Sequence, residues 1–155
     1  MKFPSHSPAP LLLAAALFAT AAQAAVRLPA LIGHNMVLQA EAKTNVWGWA
    51  DPQEKVTVTF ADKKGGATAG ADGKWSVRLA DLKSGTTGDL TIAGSNAITL
   101  KNVLVGEVWV ASGQSNMEFT VSGAMNKDAE IAAANFPQIR MFTLQKAAKA
   151  EPQED

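Results

Sequence analysis

Apolar and polar residues alternate along much of the first hundred positions. Val56, Val58 and Phe60 interleave with Thr57 and Thr59, and Trp75, Val77 and Leu79 interleave with Ser76 and Arg78. Successive side chains of an extended chain point to opposite faces, so each run predicts a strand with one apolar face. Leu90 and Ile92, then Ile98 and Leu100, repeat the pattern on either side of a Gly94-Ser95-Asn96 turn. Asp72-Gly73 follows Ala67-Thr68-Ala69-Gly70-Ala71 and precedes the Trp75 run, which predicts a tight hairpin there. Short strands with turn signals about every ten residues predict an antiparallel β-sandwich module over residues 25–103.

The pattern changes after Val103. Val103-Leu104-Val105 and Val108-Trp109-Val110-Ala111 are nearly continuous apolar runs, broken by Gly106-Glu107. A strand apolar on both faces suits the interior of a parallel sheet. A turn rich in Gly, Ser and Asn follows, then a helical stretch over 128–134 that Pro137 stops, then a second strand candidate over 139–144. Strand, helix, strand is the beginning of a βαβ unit. One such unit cannot cover both faces of its own sheet. Residues 104–155 therefore read as the incomplete start of an α/β domain, and the sequence as the N-terminal fragment of a longer protein.

The first 24 residues stand apart. Lys2 precedes an apolar stretch over 9–22, and Ala22-Gln23-Ala24 has the form of a signal-peptidase site. Residues 1–24 thus predict a signal peptide, and with it export to the periplasm or the exterior. Cleavage would remove His6 and leave His34 as the only histidine. An oxidising compartment permits disulfides, but the chain has no Cys, so packing must hold the fold. Lys and Arg total 14, as do Asp and Glu, which excludes nucleic-acid binding through bulk positive charge. No apolar run reaches the roughly 18 residues of a membrane span, so no membrane association is expected after signal cleavage. At 47% apolar and 18% charged, the 155 residues are not those of a disordered tail.

The chemistry concentrates in Ser112-Gly113-Gln114-Ser115-Asn116-Met117-Glu118, directly after the expected buried strand. A Ser on a turn after a strand stands at the carboxyl edge of the sheet, where open α/β folds place ligands. Backbone N–H groups of such a turn can face a developing oxyanion. The α/β-hydrolase elbow G-x-S-x-G does not fit, because Met117 stands where its last glycine would be. No His, Asp or Glu cluster has metal-ligand spacing, and no metal or cofactor is expected.

The segment Val108-Trp-Val-Ala-Ser-Gly-Gln-Ser-Asn-Met-Glu118 closely resembles the first block of the SGNH (GDSL-like) hydrolases, and within them the sialate O-acetylesterase family. Leu31 to Gln39, Val46 to Val58, Gly70 to Trp75 and Asn135 to Arg140 resemble the same family. The resemblance implies a β-sandwich followed by a flavodoxin-like three-layer α/β hydrolase domain. It implies a carbohydrate O-acetylesterase acting on an O-acetylated sugar, with Ser115 as nucleophile and its backbone N–H as an oxyanion donor. Further Gly and Asn donors, and an Asp three residues before a His base, would lie in later blocks that are not in this chain. The chain by itself is therefore expected to be inactive. Ala111 replaces a frequent Cys, a change of strand packing only. Acetylated xylan and other glycans compete with sialic acid esters as substrate, and a non-catalytic carbohydrate-binding or adhesion sandwich is the rival from another class.

The other residues carry plainer readings. Gln114, Asn116 and Glu118 are candidates for substrate contact or loop support. Glu118 suits contacts with its own loop, and Asn116 suits either substrate contact or Asx hydrogen bonds within the turn. His34 lies far in sequence from Ser115 and reads as structural. Trp47 and Trp49 share one strand face, where core packing is favoured over stacking on a sugar. The leader yields a first prediction: the exported protein begins at Ala25. N-terminal sequencing of material from outside the inner membrane tests this, and a mature product beginning at Met1 would exclude it.

Overall fold

A computed structural model describes residues 25–153. The expected signal peptide lies outside the described residues.

Seven strands form the bulk of the fold: β1 (Val37–Gln39), β2 (Thr44–Trp49), β3 (Lys55–Phe60), β4 (Lys63–Thr68), β5 (Lys74–Leu79), β6 (Thr87–Ala93) and β7 (Ala97–Gly106). Five make a curled mixed sheet in the order β1-β7-β6-β3-β4, and β2 pairs with β5 in a second sheet. Every pairing is antiparallel except β1 with β7. The expected alternation is borne out on β3 and β5. Val56, Val58 and Phe60 are buried, as are Trp75, Val77 and Leu79. They join Val46, Leu38, Leu90, Ile92 and Leu100 in one cluster shared by the two sheets. The Gly94-Ser95-Asn96 turn links β6 to β7, with Ile92 opposite Ile98 and Leu90 opposite Leu100.

The Asp72-Gly73 turn exists but is not a hairpin. Gly73 adopts φ +75, the Gly70 N–H donates to Lys74 O at 2.9 Å, and the Gly73 N–H donates to Gly70 O at 3.0 Å. The strands on either side, β4 and β5, pair with β3 and β2 respectively. The turn thus carries the chain from one sheet to the other. Its local chemistry was legible, whereas the choice of partners depends on distant strands.

Near its middle β7 holds a one-residue bulge. Leu90 faces Leu100 and Gly88 faces Val103, so Lys101 and Asn102 together oppose the single residue Asp89. Asn102 takes the left-handed φ of +58. A one-residue insertion exchanges the faces of a strand. The buried positions accordingly pass from Leu100 to Val103 and Val105. This is why 103–105 read as a new apolar run. These residues are the end of β7, which continues through Gly106, three positions past the expected boundary at 103, with Leu104 and Val105 paired to Val37 and Leu38.

Glu54 joins two turns. Its carboxylate accepts the Ser95 N–H and, at 3.0 Å, the Asp51 N–H. The Ser95 N–H is the larger cause holding this carboxyl below its usual range, against partial burial that pushes it up. A lowered folded-state pKa gives stability that is present above the unfolded value and lost as pH falls through the folded one. Glu54→Gln should therefore lower Tm by a few degrees at pH 7, with the gap to wild type closing as pH drops below about 4. Thermal melts across that range test this.

Candidate active site

Beyond Gly106 the chain runs over the surface. Glu107 and Val108 are tied to β1 through Gln39, whose Oε1 accepts the Val108 N–H at 2.8 Å and whose Nε2 donates to Glu107 Oε2 at 3.1 Å. Residues 108–111 and 139–144, expected as strands, form no ladder among the described residues. A ladder requires a neighbouring backbone, and neither segment pairs with one among the described residues. Their apolar side chains are exposed, with Trp109 at 87% and Met141 at 93%. The expected helix is present one residue earlier, as α1 (Lys127–Ala133), entered from Asn126 at φ +59.

Ser115 opens a 3-10 turn over Ser115–Glu118. Backbone bonds hold this turn: the Met117 N–H donates to Gln114 O at 2.9 Å and the Phe119 N–H to Asn116 O at 3.2 Å. Gln114 gives no side-chain cap. The Asn116 side chain makes no hydrogen bond among the described residues, so the Asx reading of this turn does not hold. Glu118 pairs with Lys146, which brings a distant part of the segment against the turn. Gly113 has a φ of +159, which residues with a side chain rarely adopt, and a Cβ there would also lie 3.0 Å from Met117 Cγ. Both the backbone and the close approach of Met117 favour glycine.

The Ser115 hydroxyl is exposed and has no hydrogen-bond partner among the described residues. Its N–H precedes the first bond of the turn and is likewise without an acceptor there, as the leading donors of a helical turn are. No described imidazole or carboxylate bonds to Ser115. His34 is engaged elsewhere, its Nδ1 accepting the Lys101 N–H at the β7 bulge at 2.9 Å. Among the described residues no three His, Asp or Glu side chains gather as a metal site, and no helix is long and apolar enough to cross a membrane.

The expected core packing of Trp47 and Trp49 holds in part. Val46 and Gly48 are the buried positions of β2, both tryptophans are half-buried, and Trp47 packs against the core cluster. Their rings meet edge to face at 5.5 Å, and the Arg27 guanidinium lies 5.3 Å from the Trp49 ring centre. The i, i+2 spacing was read correctly, but it does not say which of two faces turns inward. Lys146 and Gln39 escaped sequence reasoning, since each acts through a partner distant in sequence.

No family model matches the chain. It is similar to several proteins named sialate O-acetylesterase, the mouse and human ones among them. The mouse protein is 32% identical over 142 residues, covering 83% of this chain and 26% of the relative. The human protein is 30% identical over 142 residues, covering 83% and 27%. Among solved structures it is similar to a carbohydrate acetylesterase from Xanthomonas citri, with TM-score 0.78 and 36% identity, covering 83% of this chain and 30% of that one. These relatives are carbohydrate acetylesterases. The chain belongs to a sialate O-acetylesterase-like family, and it spans about a quarter of the length of the curated relatives it matches.

The His34 contact gives a prediction. His34→Ala leaves the Lys101 N–H without its acceptor and should cost about 1 kcal/mol of stability. Chemical denaturation measures this. No loss would mean that the bond contributes nothing.

Proposed function

We propose that this chain carries the nucleophile of an exported carbohydrate O-acetylesterase. The observation that carries the reading is Ser115: an exposed residue whose hydroxyl has no hydrogen bond among the described residues, at the first position of a turn, in a chain of the sialate O-acetylesterase-like family. A base takes the proton from Ser115 Oγ as it attacks the acetyl carbonyl. The Ser115 N–H donates to the oxyanion, and collapse of the tetrahedral species releases the sugar hydroxyl. Water then attacks the acetyl-enzyme, acetate leaves and Ser115 recovers its proton. The O-acetyl group of a sialic acid is the favoured substrate, by the names of the relatives, with acetylated xylan and other glycans as alternatives.

The finer architecture belongs to the same proposal. The two sheets form a β-sandwich, and the segment beyond Gly106 opens a flavodoxin-like α/β domain whose later parts supply the base and the remaining oxyanion donors. Each such donor is worth roughly 2.7–4 kcal/mol. With His34 occupied at the β7 bulge, residues 25–155 alone are inert. A second reading, a non-catalytic sugar-binding module, draws on the half-exposed Trp47 and Trp49 beside Arg27.

The test uses a form extending to the length of the curated relatives, alongside residues 25–155. In the long form Ser115→Ala should lower p-nitrophenyl acetate hydrolysis at least about a thousandfold with an unchanged melting curve. His34→Ala should leave turnover near wild type. The short form should hydrolyse no faster than its own Ser115→Ala variant. A long form that keeps its turnover without Ser115 would overturn the assignment. A long form with no hydrolysis that still binds glycans would favour the sugar-binding reading.

A further inference from the structure

The bulge in β7 takes backbone groups out of the sheet ladder, and specific partners meet them. The Lys101 N–H donates to His34 Nδ1 at 2.9 Å, and Lys101 O accepts the Asn35 N–H at 3.0 Å. The Asn102 side-chain amide donates to Asn35 Oδ1 at 2.8 Å. Asn35 and Asn102 both take left-handed backbone, at φ +62 and +58. Asn102 O and Oδ1 are left facing outward, close to Met36 O on the lead-in to β1.

One guanidinium takes all three oxygens. Arg140 Nη1 donates to Asn102 O and, at 3.2 Å, to Met36 O, while Nη2 donates to Asn102 Oδ1 at 3.0 Å. Arg140 and Ala124 are the only positions beyond Gly106 not classed as exposed among the described residues. A planar fork of donors fits oxygens from two segments in a way that a single ammonium cannot. The socket offers neutral oxygens only, so the contact is geometric recognition more than charge pairing.

At the other end of the same segment stands the Gln39 tie to Glu107 and Val108. Ser115 lies between the two attachments, and both rest on the parallel β1–β7 pair. We propose that Arg140, seated in the β7 bulge, is a positioning residue that with Gln39 fixes the Ser115-bearing segment on the β-region at two points. The β-region is then part of the framework of the active site and not a detachable appendage. The catalytic meaning of the attachment rests on Ser115 being the nucleophile; the attachment itself does not.

The chain has no Cys, so a pair of spin labels can be introduced cleanly. Lys64→Cys on β4 and Asp128→Cys on α1, both at exposed positions, report the distance between the β-region and the segment. In residues 25–155 the distance distribution should be narrow. Arg140→Met should roughly double its width while the melting curve of the β-region stays in place. Arg140→Lys should restore part of the order, and Arg78→Met, outside the socket, should change nothing. Asn102→Gly, which tolerates the left-handed backbone and removes Oδ1, should also broaden the distribution and provides a second variant should Arg140→Met fail to fold. In the long form Arg140→Met should lower kcat more than it raises KM. A broad wild-type distribution, or one that neither variant changes, would overturn the proposal. If the width responds but Ser115 proves dispensable, the attachment stands and the nucleophile reading falls.

Discussion

The extra residue in β7 is the constraint on which the arrangement depends. Before it, the inward position is Leu100; after it, the inward positions are Val103 and Val105. Paired without a bulge, the same residues of β7 would turn Asn102, Leu104 and Gly106 inward and expose both valines. The parallel pairing of β1 to Leu104–Gly106 is set by the same shift, and Leu38 reaches the core from that pairing. A bulge releases hydrogen-bonding groups that must find other partners. Here His34, Asn35 and Arg140 serve them, so a packing adjustment also becomes a binding surface for the chain that follows.

The two parts of the chain differ in how they are held. The β-region buries Phe60, Leu90, Ile92 and Val58 almost completely, each fully buried side chain contributing roughly 1.5–3 kcal/mol. Past Gly106 no described residue is buried, and Trp109, Val110, Met125 and Met141 are nearly fully exposed. A segment with this many exposed large apolar side chains has the composition of an interaction surface. What orders the segment is therefore polar: the 3-10 turns at Ser115–Glu118 and Val121–Gly123, α1, and the long-range ties through Gln39 and Arg140.

The sequence revealed the elements whose signal is local. Alternation placed β3, β5, β6 and the first half of β7, and Gly94-Ser95-Asn96 placed their hairpin. β4 was hidden, since Lys-Lys-Gly-Gly-Ala-Thr has poor strand propensity and is held by its ladder with β3. The parallel β1–β7 pair, the change of sheet at Gly73 and the bulge all rest on contacts between distant residues. The site divides in the same way. Ser115 stands out in the sequence because its string is contiguous and resembles a family block. Gln39 and Arg140 were visible only as members of conspicuous phrases. Their roles depend on Val108 and Asn102, which no periodicity connects to them.

With Ser115 in its proposed role, this division bears on how a nucleophile can be held to catalytic tolerance. Misplacing a reacting group by about 1 Å can cost a hundredfold in rate. Among the described residues the Ser115 turn has only backbone bonds and an exposed Glu118–Lys146 pair, and such surface pairs contribute at most about 1 kcal/mol. The turn cannot supply that precision from its own bonds. It must come from what fixes the segment at its ends and from whatever packs over the exposed apolar face. The β7 bulge is the rigid reference for the first of these, because it belongs to a sheet whose core is complete.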